Sequence, residues 1–422
     1  MSIPTPGPPE ALADPTSRVG ARWTVAVGLV SVGVNTAIFA TLNQLMPLQA
    51  SLIGGPGRKE EVLSLAGTVG VLVAMVVNPV VGALSDRTTS RLGRRVPWVI
   101  AGGLVATAFL LLTAGATSTA LLCLGWAGAQ AGLNAMSAAV TAAVPDRVPV
   151  DQRGEVGGVV ATGITLGILL GSGIGMLIAG VVRLGYGLAI AALVLFALPY
   201  LLRADDPRLP RGALPRTTAR EFLRGFWVDP RRHPDFAWAW LGRLLMMTAT
   251  QLTIVYLLFY LTDVLHRQEP ASGVFVLTAI YAFATVLCAW AAGKLSDRTG
   301  RRPLVAASSA LIAVAAVLMA CAPLFGGAQF VAACVAAAVL GLGNGAYLGV
   351  DFALLTQVLT GSDARGTQMG LINIAASLPQ VFALGLAFFA VRHLGGYTAL
   401  FALAAALGVL GALSVYRIKG VR

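Results

Sequence analysis

"GALSDRTTSRLGRR" (82–95) and "GKLSDRTGRR" (293–302) set nearly the same charged phrase down twice in a chain that has little charge to place. Of 422 residues, 57% are hydrophobic and only 11% charged, and the mean hydropathy is +0.80. A soluble chain carries charge on about a quarter of its residues, so this composition belongs to an integral membrane protein. The two phrases then read as loops between apolar spans, and their recurrence reads as an internal duplication. Ser85-Asp86-Arg87 and Ser296-Asp297-Arg298 are 211 positions apart. Asn134 and Asn344, and Arg153-Gly154 and Arg365-Gly366, echo at nearly the same interval.

A bilayer-crossing helix needs about 20 apolar residues. Such runs occur near 23–49, 62–84, 97–116, 119–144, 156–180 and 184–202, and again near 236–262, 272–293, 303–323, 328–356, 368–391 and 395–416. The chain is therefore expected to be an all-α membrane protein of twelve transmembrane helices in two pseudo-symmetric six-helix bundles. Its expected organisation is a disordered cytoplasmic tail (1–21), an N-terminal bundle (22–202), a polar, proline-rich cytoplasmic linker (203–235), a C-terminal bundle (236–417) and a short cytoplasmic tail (418–422). The proline-rich start shows no cleavable signal peptide. Each charged phrase falls in the second interhelical loop of its own half.

Orientation follows from the basic residues. Twenty-four Arg and Lys lie on the side of the termini and the linker, five on the other, with Arg243 inside a span. Basic loops stay in the cytoplasm, which places both termini there and the protein in the cell (plasma) membrane. The net charge of +12 sits in these short loops, with no aromatic-studded basic domain to track a phosphate backbone, so nucleic acid is excluded as a partner. The four cysteines (Cys123, Cys288, Cys321, Cys334) lie scattered in apolar runs without metal-ligand spacing, which makes them packing residues.

Two copies of Gly, a hydrophobe, Asp-Arg and Gly-Arg-Arg in register, with twelve spans, resemble the major facilitator superfamily over essentially the whole chain beyond the tail. The signature residues are Gly82, Asp86, Arg87, Gly93, Arg94 and Arg95, and in the second half Gly293, Asp297, Arg298, Gly300, Arg301 and Arg302. A narrower resemblance is to the glycoside–pentoside–hexuronide:cation symporters and the related sucrose-transporter branch. It rests on "SDRTTSRLGRRVPWV", "GVDFALLTQVL" (349–359) and "NIAASLPQ" (373–380). The first span carries no carboxylate, whereas several members of that branch carry a coupling acid in the first, second or fourth helix.

Asp86 ends the second span. A carboxylate there can face the positive end of a helix in the opposite half, or pair with Arg95 or with arginines of the next loop. Contacts that hold in one conformation and break in the other form a latch, and the family resemblance implies the same gating role for both loops. The bland alternative is that the arginines only fix topology.

Inside the membrane, Arg243 and Asp351 are the ionisable side chains well within spans. Each costs about 2.5–3.5 kcal/mol at mid-bilayer on insertion scales, so each needs a partner or a wet cavity. They lie roughly 10 Å and 8 Å from the cytoplasmic end at 1.5 Å per residue. Equal depth in one half permits an ion pair, either a static clamp or a cavity pair that opens to substrate or a proton. No histidine lies in a span.

Polar side chains line several spans. The first holds Asn35, Asn43 and Gln44; the fourth, Gln130 and Asn134; the seventh, Gln251 and Tyr256, with Tyr260 beyond. The tenth holds Asn344 and Tyr347, and the eleventh Asn373 and Gln380. Amides offer donors and acceptors without charge and tyrosines stack on sugar faces, which suits a neutral polar solute; interhelical hydrogen bonding is the alternative use. Gly163, Gly167, Gly171 and Gly175 form a packing stripe on the fifth span, which lacks the Gly-Pro typical of drug–proton antiporters of the resembling superfamily.

No phosphate-cradling Gly-rich loop, catalytic constellation or sizeable soluble domain is present, so an enzyme, an ATPase and a receptor are all disfavoured. The expected function is secondary active transport by alternating access: cation-coupled uptake of a sugar or glycoside, a proton being the expected cation. Proton-coupled efflux of a drug or secondary metabolite is the alternative. The expected partners are a small-molecule solute, the coupling cation and the bilayer, with a functional monomer and no cofactor or metal.

Overall fold

Apolar runs in this chain become helices because a backbone without water must satisfy its own N–H and C=O groups, and glycine and proline decide where they stop. The structure is a computed structural model that describes residues 15–149, 152–178, 181–202, 206, 208–209, 234–299, 301–358, 378–379 and 382–417. In chain order its helices are α1 (Ala21–Ala40), α2 (Met46–Asp86), α3 (Val96–Ala114), α4 (Thr119–Arg147), α5 (Arg153–Leu177) and α6 (Val182–Leu201). There follow α7 (Pro234–Val255), α8 (Leu257–Asp263), α9 (Pro270–Thr299), α10 (Arg301–Cys321) and α11 (Gln329–Val358). The last two are α12 (Phe382–His393) and α13 (Tyr397–Val415).

A π-helical turn, Thr41–Leu45, joins α1 to α2. The first two expected spans form one continuous apolar helix, Ala21–Asp86, that reverses at Gly55, whose φ of 59° lies in the left-handed region open to glycine. The turn between α12 and α13 is made the same way by Gly395 (φ 114°) and Gly396 (φ 79°). The seventh span is α7 and α8 together, bent by 43° at Tyr256. Of the eleventh, only residues 378–379 and α12 are described.

The chain divides into two units, residues 1–53 with 69–216, and residues 54–68 with 217–422. In the first, α1 packs along α5 and α6, and α3 along α4 and α6. In the second, α10 packs along α11 and α13, and α13 along α7. Third on fourth, third on sixth and first on sixth therefore recur in both units, which is the packing expected of duplicated halves.

The glycine stripe of α5 lies against α1 as its spacing predicts. A Cβ on Gly167 would sit 2.6 Å from Cβ of Asn35 and 2.8 Å from the carbonyl oxygen of Val32. In the second unit a core of Met246, Ala249, Ile312, Leu340 and Tyr347 joins α7, α10 and α11. Helix hydroxyls are disposed of locally: Thr36, Thr248 and Thr253 each donate to the carbonyl four residues earlier, so they cost the apolar surroundings little.

Candidate functional site

The first charged phrase folds back on itself at the C-terminal end of α2. After Asp86 the chain turns through Ser90–Gly93, closed by Gly93 N–H donating to Ser90 O at 3.2 Å, and Gly93 takes φ 92°. This delivers Arg94 and Arg95 inward, 4% and 2% exposed. Arg95 donates from Nη2 to Asp86 Oδ1 (2.5 Å), from Nη1 to Ser85 Oγ (2.5 Å) and from Nε to Asp146 Oδ2 (2.8 Å). Arg94 Nη2 lies 2.6 Å from the other oxygen, Asp146 Oδ1. One carboxylate at the end of α4 thus holds both arginines. Burial pulls the Arg95 guanidinium down, but Asp146 and Asp86 together outweigh it and hold the group above its ordinary value.

Asp206, beyond the end of α6, completes the cluster. Its Oδ2 accepts from the backbone N–H of Arg95 and, at 3.0 Å, from that of Val96. It therefore caps α3, where helix N–H groups lack intrahelical partners. Burial pushes its carboxyl up, against the opposing pull of those two N–H groups. A side chain at position 93 would overlap Asp206, its Cβ 2.5 Å from the carboxyl carbon, which explains the glycine there. Position 82 differs: a Cβ on Gly82 meets nothing within 4 Å among the described residues. Arg87 is exposed.

The expected partnership of Asp86 with Arg95 is present; Asp146 and Asp206 were not anticipated. Asp146-Arg147 repeats the Asp-Arg dipeptide of 86–87 at the inner end of another span, a signal that could have found Asp146. In the second phrase, Gly293, Asp297 and Arg298 lie on α9 and Arg301 on α10, with side chains outside the described residues, as is Gly300. Arg302 donates from Nη2 to Tyr416 O at 2.9 Å, a cation on the carbonyl end of α13, where the helix dipole favours it.

Within the membrane, Arg243 is half-buried on α7, and α7 packs against α11, which carries Asp351. The side chain of Asp351 lies outside the described residues, as do Asn373 and Gln380 entirely. Asn134 and Asn344 occupy the equivalent fourth helices, each with an uncharged side-chain partner. Asn134 Nδ2 donates to Gln130 Oε1 at 3.1 Å on α4, and on α11 Asn344 Nδ2 donates to Tyr281 OH at 2.9 Å. Tyr281, on α9, was not singled out in the sequence. Asn35 donates to Ser31 O (2.8 Å) and Gln44 to Ser172 O (3.4 Å), while Asn43 and Gln251 are half-buried.

The tyrosines are placed differently from the amides. Tyr347 is 2% exposed in the core of the second unit. Tyr256, at the bend between α7 and α8, donates to Glu60 O at 3.2 Å. Tyr260 donates to Met319 O at 2.8 Å and meets Phe401 edge-on at 5.0 Å. Both hydroxyls bind backbone.

These features have counterparts among known proteins. The model of the Major Facilitator Superfamily matches residues 25–277 and 268–420. The chain belongs to that superfamily: it is a multi-pass membrane protein of the transporter class and not an enzyme. The tetracycline resistance protein, class C, of Escherichia coli is 43% identical over 63 residues, 15% of this chain and 16% of that protein. A sucrose transport protein of Arabidopsis thaliana is 31% identical over 116 residues, 28% of this chain and 21% of that protein. The chain thus spans well under a third of the length of these curated relatives. Among solved structures, the peptide transporter POT aligns with a TM-score of 0.71 at 16% identity, over 95% of both chains. The nucleoside transporter NupG aligns with a TM-score of 0.72 at 12% identity, over 94% of this chain and 99% of that one. At such identities these structures share the fold, which accords with twelve helices in two bundles.

Proposed function

We propose that this chain is a secondary active transporter that takes up a neutral polar solute, a sugar or glycoside, by alternating access coupled to a cation, a proton in the first instance. The observation that carries the reading is an uncharged amide on each of two equivalent helices, Asn134 bonded to Gln130 and Asn344 bonded to Tyr281. Such groups exchange one hydrogen-bond partner for another without a charge to desolvate, which suits a hydroxyl-rich ligand. The sequence shared with the sucrose transport protein supports the same class.

In this reading Arg243 and Asp351 form the cavity pair that couples the cation. The inner loops form the gate, with Asp86, Arg94, Arg95 and Asp146 as its fastening. The arginine asymmetry puts the termini and linker in the cytoplasm and the protein in the plasma membrane, where it works as a monomer. The test is uptake of radiolabelled sucrose and a panel of glycosides into proteoliposomes under an imposed pH gradient. Gradient-driven uptake, slowed in Asp351→Asn, is expected; gradient-independent uptake would remove the proton, and no uptake of any sugar would remove the substrate class.

The segment shared with the tetracycline resistance protein favours a second reading, proton-coupled export of a drug. Tetracycline accumulation in cells, lowered by expression of the chain and restored by collapsing the proton gradient, would select it.

A further inference from the structure

From Gly57 to Asp86 α2 is uninterrupted helix, its one break lying at Gly55, yet it belongs to both units. Residues 54–68 cluster with the second unit and residues from 69 onward with the first. The inner part is packed by apolar contact: Val81 with Ala135 and Ala138 of α4, and Gly70 so close to Trp126 that a side chain there would overlap the indole. The outer part also buries Val62, Leu63 and Ala66, but adds polar contacts to the rest of the second unit.

Glu60, Ser64 and Gly67 fall on one face of α2 at helical spacing. The carbonyl of Glu60 accepts from Tyr256 OH at 3.2 Å, and Ser64 Oγ donates to Leu384 O at 3.0 Å. Gly67 lets Leu384 lie where a Cβ would be 2.5 Å from its Cδ1. Beside them Lys59 Nζ sits 2.6 Å from both carboxylate oxygens of Asp263 at the end of α8, and 4.9 Å from the centre of the Phe259 ring. Tyr397 OH donates to Asp263 Oδ2 at 2.8 Å. The two ionic side chains are 13% and 30% exposed, so water screens this pair less than a surface one.

A continuous helix does not stretch. If the two units move against one another, α2 must let go of one of them. Both parts pack apolar side chains, but among the described residues the outer part alone also has an ion pair to the rest of the second unit at the water's edge, whose members can exchange one another for water. We propose that the Lys59–Asp263 pair, with Tyr397 behind it, is a clasp that fastens residues 54–68 of α2 to the rest of the second unit and must open in each transport cycle. The proposal rests on the alternating-access reading above; Lys59 and Asp263 act as positioning residues and touch no solute.

The test uses a chain whose four cysteines are replaced and whose single thiol is Ser64→Cys, under the clasp and 8% exposed. Its reaction with a membrane-impermeant maleimide is followed from outside in intact vesicles. Lys59→Ala and Asp263→Asn are expected to speed labelling about three- to tenfold, the population shift that loss of a half-screened ion pair produces. Lys59→Arg should stay slow and Tyr397→Phe should fall between. A second reporter, Thr113→Cys, fully buried in the first unit, should remain unlabelled throughout. Unchanged labelling at position 64, or equal acceleration at both reporters as general unfolding would give, overturns the clasp. Sugar uptake is scored separately: uptake with unchanged labelling sinks the clasp alone, and clasp-dependent labelling without uptake sinks the transport reading alone.

Discussion

Replacing Gly167 by alanine adds one methyl group where the structure leaves no place for it. The new Cβ would lie 2.6 Å from Cβ of Asn35, 2.8 Å from Val32 O and 3.0 Å from Thr36 N. Two of these are backbone atoms of α1, so no flexible side-chain end can swing aside. Either α5 moves off α1 or the strain stays. Overpacking of this kind costs about 1–3 kcal/mol, while the intrinsic preference of a helix interior for alanine returns about 0.5–1 kcal/mol. Gly158, on the same helix, meets nothing within 4 Å, so Gly158→Ala receives the preference without the clash. The propensity term cancels between the two variants, leaving a difference of about 1–3 kcal/mol that reports the close approach alone. Thermal unfolding of the detergent-purified proteins, followed by loss of the monodisperse size-exclusion peak, measures it. Gly158→Ala should match or exceed the parent and Gly167→Ala should fall below it. Equal stability of the two would refute the helix contact on which the packing of the first unit rests.

Asp146→Asn leaves Arg94 and Arg95, 4% and 2% exposed, short of a shared counter-charge, and breaking a buried pair costs about 3–5 kcal/mol. Asp86 is 54% exposed, so Asp86→Asn should cost about 1 kcal/mol or less; recovery of folded protein separates the two. Burial holds the Asp206 carboxyl above its ordinary 3.8, so it keeps its proton to higher pH folded than unfolded. That contribution to stability is present below 3.8 and is lost as pH rises through the folded value, so Asp206→Asn should flatten the unfolding profile in this window. Tyr281→Phe takes the acceptor from Asn344 and should cost about 1 kcal/mol while raising KM for the transported sugar; an unchanged KM would place this pair outside the substrate path.

Features that depend on neighbours in sequence were legible before the structure. The twelve apolar runs and the α5 stripe are local patterns that helices follow, and the 211-residue repeat is visible as the same phrase written twice. What the pattern could not supply is which long-range partner a charge finds. Asp146 lies 51 residues from Arg95, and Asp263 lies 204 from Lys59; the Asp-Arg dipeptide marks Asp146 but not its partners, and nothing local marks Asp263. Tyr256 is hard to read for a related reason. A tyrosine suited to stacking on a sugar is equally suited to holding a backbone carbonyl, and only its place at the bend, against Glu60 O, shows which use is made of it here.

The interior amides resist that distinction for a physical reason. An interhelical hydrogen bond in a membrane protein averages about 0.6 kcal/mol, whereas leaving a buried polar group unmade costs about 1–3 kcal/mol. Asn344 is therefore better held by Tyr281 across the helix contact, and Asn134 by Gln130 within α4, than left bare; the interhelical pair is held weakly enough that release to a solute hydroxyl carries little net cost. In the proposed transport reading, packing residue and ligand residue are then the same side chain in two states of one cycle. A double-mutant cycle on Tyr281 and Asn344 separates the roles: in the resting protein the coupling should be a few tenths of a kcal/mol, about the interhelical average, and in sugar affinity it should be larger. Equal couplings in both would mean that the pair only packs.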